Sequence, residues 1–124
     1  MTQIIQQLGP ELIKALREAV EVWIAVAMIS SNGLEFLSES AKKCRLNIIT
    51  GIDLPTPPEV LEQLFKNESI SDKWKIKLFD LKFYHPKFYL IKYPNGKYSA
   101  FVGSSNLTMG GLKNHIEISV QITD

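Results

Sequence analysis

The eight consecutive apolar residues from Val22 to Ile29 constrain this chain more than any other feature. The run is far short of the ~20 residues a membrane-spanning helix needs. Its β-branched content reads as a fully buried strand. Helical patterns lie on both sides. Pro10-Glu11 opens a helix, with proline at a favoured first position and an acid at the positive end. Leu12, Ile13, Leu16, Ala19 and Val20 give that helix one buried stripe. Ser30-Ser31-Asn32-Gly33 forms a turn that can cap a second helix over about Leu34 to Lys43.

A second apolar strand follows at Arg45 to Gly51. Then come a loop, Asp53 to Pro58, and a helix begun by the last proline and running to about Asn67. The stretch Asn67 to Lys73 is expected to be weakly structured. Strand, helix, strand, helix predicts an α/β fold: a mixed, mostly parallel β-sheet with helices on both faces. The later runs Lys75–Phe79, Lys87–Tyr93, Tyr98–Val102 and Ile116–Ile122 are closely spaced strands, which is why the sheet should be mixed. With 124 residues, the whole span 1–124 is expected to be a single domain.

Charge divides the chain. Residues 1–62 hold 5 Lys+Arg against 8 Asp+Glu, giving −3, whereas residues 63–124 hold 9 against 5, giving +4. A basic second half suits a polyanionic ligand. The single cysteine, Cys44, allows no internal disulfide and has no histidine beside it in sequence to activate it. Met1-Thr2-Gln3 shows no secretory pattern, so a cytoplasmic protein without a membrane association is expected.

Asn95-Gly96 lies between two strand-like runs and is a strong hairpin signal. If these two residues form the loop, Pro94 faces Lys97. Carried outward, that register sets Lys87 opposite Ser104 and His85 opposite Asn106. Opposed residues share a sheet face, as do residues two apart, so the four side chains would lie within about 5–7 Å of their neighbours. A histidine beside a fixed positive charge, with hydroxyl, amide and backbone donors around it, suits an oxyanion that gains charge in a transition state. A phosphodiester fits, and the imidazole can attack phosphorus to form a covalent intermediate. No carboxylate cluster stands at metal-ligand spacing, so no metal or other cofactor is expected.

His85-Pro86-Lys87, then Gly103-Ser104-Ser105-Asn106-Leu107-Thr108, Gly110-Gly111-Leu112 and Asn114-His115-Ile116-Glu117 resemble the phospholipase D superfamily. The resemblance is to its bacterial nuclease and restriction-endonuclease branch. It covers about 85–120 and extends weakly over about 45–122. It implies His85 as the nucleophile that becomes phosphohistidine, with Lys87 and Asn106 gripping the phosphoryl oxygens and Ser104 assisting. Glu117 would accept a hydrogen bond from the far ring nitrogen of His85 and so orient it. His115 reads as a rim residue. In one departure, the family's motif continues from the lysine through four residues to an aspartate, and that position here is Lys92.

The family mechanism uses two histidines, one attacking and one protonating the leaving oxygen. This chain has a single such motif. The resemblance therefore implies a homodimer that shares one active site across a two-fold axis. The expected activity is a metal-independent phosphodiesterase, most readily a nuclease on DNA rather than RNA. The alternatives are a nucleic-acid-binding or dimerisation module with little turnover, and a lipid phosphodiesterase or phosphatidyl transferase. The chain is also expected to be the N-terminal domain of a longer protein with a further C-terminal domain.

Overall fold

The apolar run folds as a strand that turns only one face to the core. In this computed structural model, which describes residues 1–52, 56–80, 84–108, 110–114 and 117–124, Val22, Ile24 and Val26 are buried while Glu21, Trp23 and Ala25 between them are half-exposed. In order, the elements are β1 (Thr2–Ile5), α1 (Leu8–Glu18), β2 (Glu21–Val26), α2 (Ser31–Ser40), β3 (Arg45–Gly51) and α3 (Pro58–Ile70). They continue with β4 (Trp74–Phe79), β5 (Lys87–Lys92), β6 (Tyr98–Gly103), a π-helical turn (Gly110–Asn114) and β7 (Ser119–Thr123).

Local chemistry accounts for the helices. The Ser30 hydroxyl accepts from the Gly33 amide at 3.0 Å, so α2 starts three residues before the expected Leu34. Pro58 opens α3, which runs three residues past Asn67 into the stretch expected to be weakly structured. The strand at Thr2–Ile5 is absent from the sequence reading. It is an edge strand in which only Ile5 is buried, so it carries almost no apolar pattern.

All seven strands form one sheet in the order β1-β7-β6-β5-β2-β3-β4. The α/β class with a mixed sheet is as expected, but two details are corrected. Only β2–β3 and β3–β4 are parallel, whereas β2–β5, β5–β6, β6–β7 and β1–β7 are antiparallel, so the sheet is mostly antiparallel. Short connections in the second half permit antiparallel neighbours and exclude crossovers. Among the described residues, moreover, the helices lie on one face and not on both. The crossovers β1→β2, β2→β3 and β3→β4 all move the chain the same way across the sheet, so the right-handed rule sets α1, α2 and α3 on one side. Their buried residues Leu12, Leu16, Leu37, Val60 and Leu64 join Ile24, Ile48, Tyr89, Ile91 and Phe101 in one core. Each fully buried leucine, isoleucine or aromatic there contributes roughly 1.5–3 kcal/mol.

The β5–β6 hairpin differs from expectation by one residue. Tyr93 donates to the Lys97 carbonyl at 2.9 Å and Gly96 to the Tyr93 carbonyl at 3.0 Å, which closes a three-residue loop, Pro94-Asn95-Gly96. Gly96 alone takes a left-handed conformation, with φ +83°. This is a type I turn followed by a glycine bulge, and proline is favoured at its second position. Pro94 selected that turn over the two-residue form. Lys92 therefore faces Tyr98 and Phe88 faces Val102, and the same register carried outward sets Lys87 opposite Gly103, not Ser104.

Candidate active site

The corrected register breaks the expectation that four side chains meet by strand opposition alone. They approach one end of the sheet by another route. Lys87 is the first residue of β5 and pairs with Val26, the last of β2. It shares a face with Tyr89 and Val26, so it lies at the open margin of the core and is half-buried. Burial holds its ammonium below the ordinary lysine pKa, and the nearby Glu117 carboxylate partly opposes that shift. Lys87 Nζ sits against the edge of the exposed His85 ring, 2.6 Å from Nδ1 and 2.8 Å from Nε2, and donates to the His85 carbonyl at 3.2 Å. An ammonium can donate to only one neutral ring nitrogen, so this contact joins a cation to an imidazole lone pair.

Asn106 reaches the same end through the loop after β6. Leu107 forms a parallel bridge with Ile29, and the Leu107 carbonyl accepts from Ser30 at 3.1 Å. The Asn106 Oδ1 accepts from the backbone amides of Ala27 at 3.1 Å and Met28 at 3.2 Å, just beyond Val26. Two donors on one oxygen fix which end of the carboxamide is which, leaving Nδ2 as a donor. Gly111 lets this loop close, because a Cβ there would stand 2.2 Å from the Asn106 carbonyl oxygen. Tyr89, fully buried, donates to the Ser105 carbonyl at 2.9 Å and ties the loop down from beneath.

Ser104 has a local task. Its hydroxyl donates to the Ile118 carbonyl at 3.3 Å and accepts from the Ile118 amide at 3.1 Å. That pair of bonds fastens the residue next to Glu117, whose charge acts on Lys87. Glu117 itself is half-buried. His115 lies outside the described residues. Lys92, where the resemblance expects an aspartate, ends β5 opposite Glu21 and Tyr98. Five strand steps separate it from Lys87, about 17 Å at ~3.4 Å per residue, so the departure falls away from this cluster.

Sequence reasoning missed the fastenings: the Ala27 and Met28 amides, Tyr89, and the Thr56 hydroxyl that accepts from Ile29 at 3.1 Å in the core. None of these left a signal in the sequence, whereas Gly111, close behind the Gly103-Ser104-Ser105-Asn106 run, did. Among the described residues, no group of three His, Cys, Asp or Glu side chains could hold a metal ion, and no helix is long and apolar enough to cross a membrane. The imidazole of His85, the ammonium of Lys87 and the pinned carboxamide of Asn106 thus lie at one end of the sheet.

Comparison with known proteins agrees with this fold. The model of a family described as cardiolipin synthase, PLD-like domain, matches residues 10–124. The fold is similar to that of NucT from Helicobacter pylori, at 18% identity and TM-score 0.65, covering 100% of this chain and 85% of that one. It is similar to Nuc, a phospholipase D family member from Salmonella typhimurium, at 15% identity and TM-score 0.69, covering 100% and 84%. Yeast tyrosyl-DNA phosphodiesterase shares the fold at 14% identity and TM-score 0.65, over 98% of this chain and 31% of that one. No curated protein matches by sequence.

Proposed function

Because the chain belongs to the phospholipase D-like domain family, we propose that it is a metal-independent phosphodiesterase, most readily a DNA nuclease, working through a covalent phosphohistidine on His85. A phosphodiesterase is the activity class that goes with the family. One observation carries the finer reading: the Lys87 ammonium stands 2.6 Å from a His85 ring nitrogen, while Asn106 is held by two backbone amides at the adjoining strand end. A phosphate seated there draws the ammonium off the ring. The freed imidazole attacks phosphorus, the P–O bond to the leaving group breaks, and charge gathers on the nonbridging oxygens. Lys87 and the Asn106 amide stabilise that charge more in the transition state than in the ground state. Glu117, next to Lys87, completes the cluster by orienting His85, and Ser104 assists by holding the Glu117–Ile118 backbone in place.

The leaving oxygen needs a proton, and water must then be activated to release the phosphoryl group. One chain brings one such histidine motif, so the reading includes a homodimer in which His85 of a second copy supplies the acid and base. The basic second half, +4 over residues 63–124, and the phosphodiester on DNA named for the yeast neighbour support DNA as the substrate. A cytoplasmic location belongs to the same reading.

The test is hydrolysis of bis(p-nitrophenyl) phosphate and of plasmid DNA in EDTA, with His85→Ala as control. Turnover that resists EDTA and vanishes in the variant is expected. Turnover that survives His85→Ala overturns the mechanism. Phosphatidylglycerol vesicles in the same assay separate nuclease from phosphatidyl transfer. Light scattering across micromolar concentrations checks the dimer, and a persistent monomer contradicts it.

A further inference from the structure

Tyr89 sits in the middle of β5, on the face that packs against the helices, between Ile24 of β2 and Phe101 of β6. It is 1% exposed. Phenylalanine would fill that volume with the same ring, so packing alone does not call for the hydroxyl. A buried hydroxyl costs stability unless it is bonded, and this one donates to the Ser105 carbonyl at 2.9 Å. Burial pushes the phenol far above the ordinary tyrosine pKa, so it stays a protonated donor at any working pH.

The bond acts one residue further on. The Ser105 carbonyl and the Asn106 nitrogen belong to one planar peptide unit, so holding that oxygen also sets where the Asn106 Cα stands. Among the described residues, no other donor reaches that carbonyl. The far end of Asn106 is held separately, where Oδ1 accepts from the Ala27 and Met28 amides at 3.1 and 3.2 Å. Backbone and carboxamide are thus both fixed, which leaves Nδ2 a narrow range of directions. Without the Tyr89 hydroxyl only the bonds to Oδ1 remain, and the residue can turn about that atom. We propose that Tyr89 is a positioning residue, which aims the Asn106 Nδ2 at the phosphoryl group through the Ser105–Asn106 peptide. The proposal rests on the phosphodiesterase reading above, and Tyr89 itself touches no substrate.

The test is Tyr89→Phe in the full chain, read by bis(p-nitrophenyl) phosphate hydrolysis in EDTA and, in EDTA-free buffer, by the calorimetric Kd of orthovanadate, which stands in for a phosphoryl group. A misplaced group costs up to about 10²-fold, so a loss of roughly tenfold in kcat is expected, with KM within about twofold and vanadate bound roughly tenfold more weakly. The alkaline limb of the pH profile should stay in place, because Tyr89 gives up no proton. In the Asn106→Asp background, where Nδ2 is gone, Tyr89→Phe should change kcat by less than about twofold, although it lowers the urea midpoint in both backgrounds. A merely structural tyrosine would cost the same factor in each. Thr50→Val is the control: the Thr50 hydroxyl is fully buried and makes no hydrogen bond, so its loss should alter neither kcat nor vanadate affinity. The proposal is overturned by a Tyr89→Phe variant unchanged in both kcat and vanadate affinity, by an equal loss in the Asn106→Asp background, or by an equal loss in Thr50→Val. His85→Ala is measured alongside. Turnover that survives it overturns the parent mechanism and leaves vanadate affinity to decide the role of Tyr89, whereas a parent chain that neither turns over nor binds vanadate overturns both.

Discussion

Asn106 allows fold and chemistry to be separated by one atom. Its Oδ1 accepts from the Ala27 and Met28 amides at 3.1 and 3.2 Å, while Nδ2 remains a donor. Asn106→Asp keeps both backbone bonds, because a carboxylate oxygen accepts at least as well, and such charge-assisted bonds are stronger. Stability should be unchanged or slightly raised. The donor, however, becomes an anion beside the position assigned to a phosphoryl oxygen. Losing one such donor costs ~2.7–4 kcal/mol, or about 10²–10³ in turnover. A like charge at about 4 Å adds roughly 4 kcal/mol at an effective dielectric constant of 20. A loss of at least about 10³-fold is expected. Asn106→Ala differs: it orphans two part-buried amides, so it should also lower unfolding free energy by about 1–3 kcal/mol. Urea unfolding and bis(p-nitrophenyl) phosphate hydrolysis in EDTA read the two effects. An Asp variant within about threefold of the parent rate, at unchanged stability, refutes the assignment of Nδ2 to phosphate.

Gly111→Ala would put a Cβ 2.2 Å from the Asn106 carbonyl oxygen and 2.8 Å from its nitrogen. It should cost about 1–3 kcal/mol of stability and at least about tenfold in turnover, measured by the same two assays. Burial holds Lys87 below the ordinary lysine pKa of 10.5. The cation is therefore lost earlier as pH rises, so kcat/KM should fall on the alkaline side below pH 10.5, and Lys87→Arg, whose guanidinium stays charged, should remove that limb. The Cys44 thiol is pushed up to about 11, chiefly by burial, against which a backbone hydrogen bond and Lys73 act more weakly. Its thiolate fraction at pH 8 is then about 10⁻³, so iodoacetamide should label it on the order of 10²-fold more slowly than free cysteine, and rapid labelling contradicts the buried placement.

The elements with strong local chemistry were legible in the sequence. The apolar runs at Val22 and Arg45 marked β2 and β3, and Ser30 and Pro58 marked the starts of α2 and α3. What failed was whatever depended on distant partners. The run Val22–Ile29 looks buried on both sides, yet Trp23 and Ala25 are half-exposed, because all three crossovers carry their helices to the other face. Asn95-Gly96 suggested a two-residue turn, but the ring of Pro94 favours the three-residue form, and one residue of slip changes every opposed pair. The residue types of the site were readable, and their assembly was not. Asn106 is positioned by backbone amides 79 and 78 residues away, and a backbone amide leaves no mark on the sequence.

Whether His85 carries the phosphoryl group is tested most directly by intact-protein and peptide mass spectrometry after rapid denaturation during turnover of bis(p-nitrophenyl) phosphate in EDTA. A substrate-derived phosphoryl adduct on the peptide containing His85, absent from His85→Ala and accumulating when the second step is slowed, is predicted. Steady turnover with no adduct on His85 at any quench time, or an adduct on another residue, would contradict the account.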